Sequence, residues 1–391
     1  MRVLVMATPS PTHFTPLVPL AWALRAAGHE VLVAGQPDVL GVVRSAGLNG
    51  VGFGDAFDGE AMLLKGLEPG QRPLEARPRT AFRMSGYAGL WAAHAARWAD
   101  EYLEFARAFR PDLVVSDPLE FSALMVGAVL KVPVVQHRWG VDPMSGDARP
   151  EARRALRDVC ARLGLAELPD PAVLLDPCPS ALQLPGAVQG KPIRYVPFNG
   201  NGPLPPWLRE PRTLSGLRRV AVTLGGTLPL NGVPFARRTL RILGAEPGVE
   251  LIATVDERFR RELGPLPDSV RLVDPVPLHL LFGSCEAVVH HGGAGTSMTA
   301  TAFGLPQLVL PQLADHFSHG DQLAAAGAGI AFDTAAAQDR PDLLRGALAD
   351  LLNDPRYAEA AAGLRSDMER MPAPSRVVTD LEQGWAGRAH R

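Results

Sequence analysis

Lysine is almost missing from this chain of 391 residues. Of its 39 basic side chains, only Lys65, Lys131 and Lys191 are lysines. The rest are arginines, in a composition rich in alanine, glycine and proline, which fits a G+C-rich genome and says nothing about chemistry. Net charge is nearly missing too: 39 basic residues against 41 acidic ones leave −2 at pH 7. That argues against bulk nucleic-acid binding, which needs a basic footprint on the phosphates. Cysteine is scarce: Cys160, Cys178 and Cys285 are odd in number, far apart and in no CxxC spacing. Neither a disulfide framework nor a structural zinc site is expected. No DxD occurs, so no carboxylate-held divalent metal is expected either. Long hydrophobic runs are lacking as well. The longest, from Ala123 to Val135, is interrupted by Lys131 and falls short of the roughly 20 residues of a membrane helix. The opening run Met1 to Met6 is too short for a signal peptide. A soluble, cytoplasmic protein with no membrane or nucleic-acid partner is expected.

What is present is an ordinary globular composition, 47% apolar and 20% charged. The 39 glycines and 37 prolines imply many turns within a folded protein. At roughly 150 residues per domain the length allows two or three domains. The first forty residues read as strand, loop, helix, strand. Val3 to Met6 is an apolar run, Thr8 to Thr15 a polar loop, and Leu17, Leu20, Ala21 and Leu24 recur at helical spacing. Gly28-His29 ends that helix, and Val31 to Ala34 is the next strand. The rhythm continues with a strand at Leu113–Ser116, a helix at Phe121–Leu130 and a strand at Val132–Gln136. After a break rich in proline and glycine (197–213), it restarts with strands at Val220–Leu224, Glu250–Thr254, Val270–Val273, Ala287–His290 and Gln307–Leu310. Strands alternating with helices imply parallel sheets. The expected fold is therefore α/β, with two doubly wound domains facing across a cleft. The expected boundaries are 1–205, a linker at 206–218, 219–374, and a tail at 375–391 that can cross back to the N-terminal domain. Between the early units, Phe53, Phe57, Met62, Met84, Tyr87, Trp91 and Trp98 mark an aromatic, apolar insertion. It can line a cleft for a flat apolar ligand or pack on the sheet; the sequence favours neither.

In open α/β sheets, ligands sit beyond the carboxyl ends of the strands. The strongest such segment is His290-His291-Gly292-Gly293-Ala294-Gly295-Thr296-Ser297, where a strand runs through a glycine turn into a helix. Glycines let backbone amides approach an anion, and the helix N-terminus adds free N–H groups. The run matches neither GxGxxG nor GxxxxGK[ST]. Leu224-Gly225-Gly226-Thr227 ends another strand and can form the opposite wall. Asp274-Pro275-Val276-Pro277 is either a structural turn or an extended edge for a nucleobase. His13 and Asp117 each follow a strand. Singly they read as a packing histidine and a helix cap; together they offer a base and its orienting carboxylate. Asp315-His316 follows a further strand, and His137 to Asp142 another.

Taken together, His13-xx-Pro16-xx-Pro19-Leu20-Ala21, His290-His291-Gly292-Gly293-Ala294-Gly295-Thr296, Pro306-Gln307-x-Val309-Leu310-Pro311-Gln312 and Gly327-Ala328-Gly329 resemble the bacterial antibiotic glycosyltransferases, over nearly the whole chain. The resemblance implies a GT-B fold with two Rossmann-like domains, and an inverting, metal-independent sugar transfer. The acceptor would sit on the N-terminal domain and the donor on the C-terminal one. By the same resemblance, His13 would be the general base and Asp117 its partner. His291, Gly293, Gly295 and Thr296 would hold the donor diphosphate, with Gly226 and Thr227 opposite. Val276 would lie at the base, and Asp315 and His316 at the sugar. Many relatives carry Asp-Gln where this chain has Asp315-His316. The implied partners are a dTDP- or UDP-sugar as co-substrate and a hydrophobic, aromatic, polyketide-type aglycone, with no further cofactor; a homodimer is left open. Alternatives are attack through an aromatic carbon to give a C-glycoside, a non-catalytic helper of a partner transferase, and a sugar-nucleotide epimerase on the same fold.

Overall fold

Runs such as Val3-Leu4-Val5-Met6 and Ala287-Val288-Val289 have no polar face, so their strands must be covered on both sides. The computed structural model describes residues 1–68, 70–77, 79, 84–209, 216–224 and 232–386. It contains two sheets with every strand pair parallel. The first has the order β3-β2-β1-β4-β5-β6-β7. Its strands are β1 (Arg2–Met6), β2 (Glu30–Gly35), β3 (Asn49–Gly52), β4 (Leu113–Ser116), β5 (Val134–His137), β6 (Val173–Asp176) and β7 (Lys191–Pro192). The second has the order β10-β9-β8-β11-β12-β13. It is built from β8 (Arg218–Thr223), β9 (Val249–Thr254), β10 (Val270–Val273), β11 (Ala287–His290), β12 (Gln307–Val309) and β13 (Gly329–Ala331). Strand order reverses at β1/β4 and again at β8/β11, so each sheet has a crevice between those two strands.

Most strands lie within a residue or two of their expected places. The strand expected from Val132 begins at Val134 instead. Lys131 turns left-handed (φ 58°), and the Val132 amide bonds back to Gly127 to close the preceding helix. The short β3, β6, β7 and β13 lack a periodic apolar signal; Asn49-Gly50-Val51-Gly52 even carries two glycines. The aromatic insertion is largely one helix of 26 residues, Met84–Phe109.

Four helices matter for the site: α1 (Val18–Ala26), α2 (Met84–Phe109), α3 (Ala294–Ala302) and α4 (His316–Ala325). A last helix, α5 (Pro374–Ala386), returns to pack on α1, burying Val377, Val378 and Leu381 in the N-terminal core. His29–Glu382 (2.9 Å) and Lys191–Asp380 (3.1 Å) flank that contact. The two sheet domains share an apolar seam in which Val141, Leu182 and Tyr195 meet Met298, Leu323 and Leu364. Tyr195 and Asn199, just before the linker, hydrogen-bond Thr299 on α3 at 3.2 and 3.1 Å. On another side of the cleft Arg72, almost fully buried, pairs with Asp339 at 3.0 Å and lies over the Phe235 ring. Arg79 binds Asp321 and Asp333. Among the described residues no helix is long and apolar enough to cross a membrane.

Candidate active site

At the β1/β4 crevice the chain leaves β1 through Ala7 and Thr8, while β4 ends in Ser116 and is followed by Asp117. All four are completely buried. Asp117 Oδ2 accepts the Thr8 amide (2.7 Å) and the Thr8 hydroxyl (3.1 Å); Oδ1 accepts the Leu119 amide (2.8 Å). Burial pushes the Asp117 carboxyl up to about 6 despite these donors. At neutral pH it is therefore a carboxylate, able only to accept. The Thr8 hydroxyl has one proton and two acceptors in reach, the Asp117 carboxylate at 3.1 Å and His13 Nδ1 at 2.6 Å; with that proton on the carboxylate, Nδ1–H donates to Thr8 Oγ1. That tautomer leaves His13 Nε2 a bare acceptor. The carboxylate is thus not the direct partner of His13; Thr8 stands between them, and sequence reasoning did not single it out. Its one legible signal is its place, two residues beyond a buried strand.

The His13 ring stacks on Trp139 (centroids 3.9 Å apart, planes at 27°) and meets Trp91 at 5.6 Å. Burial among these rings pushes the imidazolium down to about 3, so the ring is neutral. Phe57 stacks on Trp91 (5.3 Å) and Tyr87 meets it edge-on (6.0 Å). The Tyr87 hydroxyl is pushed up by burial and then by the charge of Asp315, from the opposite domain, and that of Asp117. The aromatic insertion therefore divides. Phe57, Tyr87 and Trp91 surround the crevice, whereas Phe53 packs on Tyr102 and Phe105, and Trp98 covers Gly54. The side chains of Met62 and Met84 lie outside the described residues. In the segment from His137 to Asp142, Arg138 is buried against Asp142 and Asp176, a structural role that lets Trp139 reach His13.

At the β8/β11 crevice, β11 ends in His290, which is fully buried and structural. Its Nε2–H donates to Gln307 Oε1 (2.9 Å), and its Nδ1 accepts the Gly292 amide (3.0 Å). Gly292 has φ 93°, and a Cβ there would sit 2.7 Å from the His316 carbonyl oxygen, so only glycine makes this turn. The His291 ring lies over Gly293, where a Cβ would come within 2.5 Å of its Nε2. It bonds the backbone at Thr223, and its Nδ1 is buried without a partner. Helix α3 starts at Ala294, so the first amides of the helix, Thr296 included, open toward the cleft. A Cβ on Gly295 would meet nothing within 4 Å, so the protein's own packing leaves that place free.

His316 meets His291 edge-on at 4.8 Å, and Asp315 begins α4 with Oδ2 4.0 Å from His319 Nε2. Burial pushes the Asp315 carboxyl up to about 6 and the rings of His290 and His319 down to about 3. Unpartnered buried atoms gather here: Ser297 Oγ, His316 Nδ1 and both nitrogens of His319. Such atoms are rare in native interiors. His319 was not legible as a site residue. Val276 is half-buried after β10, against the apolar cluster behind α3. Gly226 and Thr227 lie outside the described residues. No cluster of His, Cys, Asp or Glu suited to a metal occurs among the described residues.

One crevice thus holds a histidine backed by Thr8 and Asp117, and the facing one a glycine–histidine helix start. The chain matches the family described as erythromycin biosynthesis protein CIII-like, by its N-terminal domain over residues 22–225 and by its C-terminal domain over 239–383. The chain belongs to the EryCIII-like glycosyltransferase family. It is 38% identical to the L-demethylnoviosyl transferase of Streptomyces niveus, with 97% of each chain covered. It is 36% identical to the TDP-daunosamine transferase DnrS of Streptomyces peucetius, covering 98% of this chain and 96% of that one. Spinosyn rhamnosyltransferase SpnG superposes with a TM-score of 0.86 at 38% identity, over 98% of this chain and 100% of that chain. SpnG has also been solved with thymidine diphosphate and with spinosyn aglycone. This glycosyltransferase has the GT-B fold, its two parallel-sheet domains facing across the crevices described above.

Proposed function

We propose that this glycosyltransferase transfers a deoxysugar from a dTDP-sugar to a hydroxyl of a polyketide-type aglycone, inverting the anomeric carbon and using no metal. The single observation that carries the reading is the contact of His13 Nδ1 with Thr8 Oγ1, backed by the Asp117 carboxylate, at the mouth of an aromatic wall; in the tautomer with Nδ1–H donating to Thr8, Nε2 is unprotonated. His13 takes the acceptor proton through Nε2. As positive charge grows on the ring, Nδ1–H strengthens its bond to Thr8, and the Asp117 carboxylate behind Thr8 stabilises the imidazolium. The freed oxygen attacks the anomeric carbon from the side opposite the diphosphate. The departing diphosphate gains charge, which the α3 amides and dipole, His291 and the Thr296 hydroxyl stabilise. The Gly293 and Gly295 positions give it room. Asp315 and His316 face the sugar, and Val276 the thymine. The planar Trp91, Phe57 and Trp139 surfaces suit a flat aglycone. The names of SpnG with thymidine diphosphate and of the Streptomyces deoxysugar transferases support the donor class.

The test is mass spectrometry of the purified chain incubated with several dTDP-deoxysugars and a panel of aromatic and macrolide aglycones. A product heavier than the aglycone by one deoxysugar is expected, with the glycosidic configuration opposite to the donor. Donor consumption without any glycoside would overturn the reading.

A further inference from the structure

Three residues past Asp117 lies a second carboxyl group that sugar transfer has not used. Glu120 is completely buried, as is Asp117. The two receive very different solvation. Asp117 accepts the Thr8 amide and hydroxyl and the Leu119 and Glu120 amides. Glu120 Oε1 accepts the Ser122 amide and hydroxyl, while Oε2 has no hydrogen-bond partner and faces His94 Nε2 at 4.0 Å. That histidine nitrogen is itself buried and unpartnered. His94 sits on α2, with its ring against Trp91 (5.9 Å) and Phe57 (5.8 Å), the same rings that border His13. The other groups that face this corner are the Tyr102 hydroxyl from α2, which donates to Gln36 at the end of β2, and Asp38, which acts on His94 from the helix Pro37–Ser45. None of these is a fixed cation.

Two carboxylates without a cation cannot both be charged cheaply in one buried corner. The better-solvated one keeps the charge. We propose that Glu120 is a positioning residue that holds a proton on Oε2, facing His94, so that the corner's single negative charge stays on Asp117 and the Thr8–His13 relay keeps its direction. The inference rests on His13 being the base. Since Oε1 already accepts two donors, the acid's hydroxyl is Oε2–H, and neutral His94 offers Nε2 as its acceptor after a small closing movement. Burial and then the Asp117 charge raise the Glu120 carboxyl to about 8, while burial lowers His94 to about 4, which agrees with a neutral pair. Ionising Glu120 puts a second negative charge beside Asp117. The turn from 117 to 122 must then admit water, and the Asp117–Thr8 contact loosens.

The experiment pairs infrared spectroscopy with the pH dependence of kcat/KM, on wild type and Glu120→Gln. A protonated-carboxyl stretch is expected in wild type at neutral pH, disappearing as pH rises past about 8 and missing in Glu120→Gln. The variant mimics the neutral acid, so it should turn over at neutral pH and lose the alkaline fall of the wild type. An unchanged alkaline limb in Glu120→Gln, or no protonated-carboxyl band in wild type, overturns the proposal. Should Glu120→Gln fail to fold, His94→Phe replaces it: the band must shift in frequency, and an unshifted band overturns the pair. If His13→Ala keeps full turnover, the base assignment fails; the infrared band separates that failure from a failure of Glu120 to hold its proton.

Discussion

The two crevices share one strand topology and are built by opposite means. The glycine turn of the C-terminal crevice is one continuous stretch, from β11 through His290 to Gly293 into α3, backed by His316 at the start of α4. The N-terminal crevice is collected from four distant places: Thr8 and His13 after β1, Trp91 on α2, Asp117 after β4, and Trp139 after β5. Anion recognition needs amides and a helix end, which local chain geometry supplies. Proton abstraction needs side chains at fixed angles, which only packing supplies. The titratable groups do not divide in this way. The N-terminal half buries carboxyls with raised pKa values, Asp117 and Glu120, beside histidines with lowered ones, His13 and His94; the C-terminal half buries Asp315, also raised, beside His290, His291, His316 and His319, all lowered.

The contrast predicts separable defects. His13→Ala should cut turnover by about 10²–10⁴-fold, while affinity for dTDP, read by calorimetry, stays at the wild-type value. Intact turnover would break the division of labour. His291→Ala and Gly293→Ala should do the reverse, weakening dTDP binding by about 1.5–3 kcal/mol. Gly293→Ala acts by pushing the His291 ring from its seat. If both bind dTDP normally, the donor half is assigned to the wrong residues. Thr8→Val keeps shape but removes the relay hydroxyl, stranding His13 Nδ1–H and one Asp117 lone pair. A loss of about 1–3 kcal/mol in kcat/KM is expected, again with dTDP affinity unchanged. A Thr8→Val enzyme as fast as wild type would mean that Asp117 acts without Thr8.

The smallest effect is on stability against pH. Histidines near 3–4 in the folded chain and about 6.5 in the unfolded one contribute stability that is present above 6.5 and lost as pH falls. Asp117 and Glu120, at about 6 and 8 when folded and about 4 when unfolded, contribute stability that is present at low pH and lost as pH rises toward those values. Melting curves across pH should therefore flatten between about 3 and 6.5 in His319→Gln and between about 4 and 8 in Glu120→Gln. A curve unchanged from wild type in either window would show that the group does not carry its shifted pKa in the folded chain.

Legibility follows the same divide. Buried parallel strands announce themselves as apolar runs, so β1, β4, β8 and β11, which bound both crevices, were readable, along with the glycine turn after β11. Short strands such as β3 and β13 were not, because sheet pairing rather than side-chain pattern holds them. His13 and Asp117 were readable as residues at strand ends. That a threonine joins them was not, because Thr8 and Asp117 are 109 positions apart and meet only when β1 pairs with β4. The double reading of the aromatic insertion also needed the tertiary structure. Its long helix turns Trp91 toward His13 and Trp98 over Gly54.

By itself the sequence determined the α/β class, the two-domain plan and the glycine turn after β11. Each is encoded by contiguous residues, whose pattern reflects burial and backbone freedom over a few positions. The tertiary structure alone decided which groups surround His13, how each buried carboxyl beneath it is hydrogen-bonded, and which histidines are structural. Those are matters of hydrogen bonding and desolvation, and both depend on neighbours that the chain brings together only by folding.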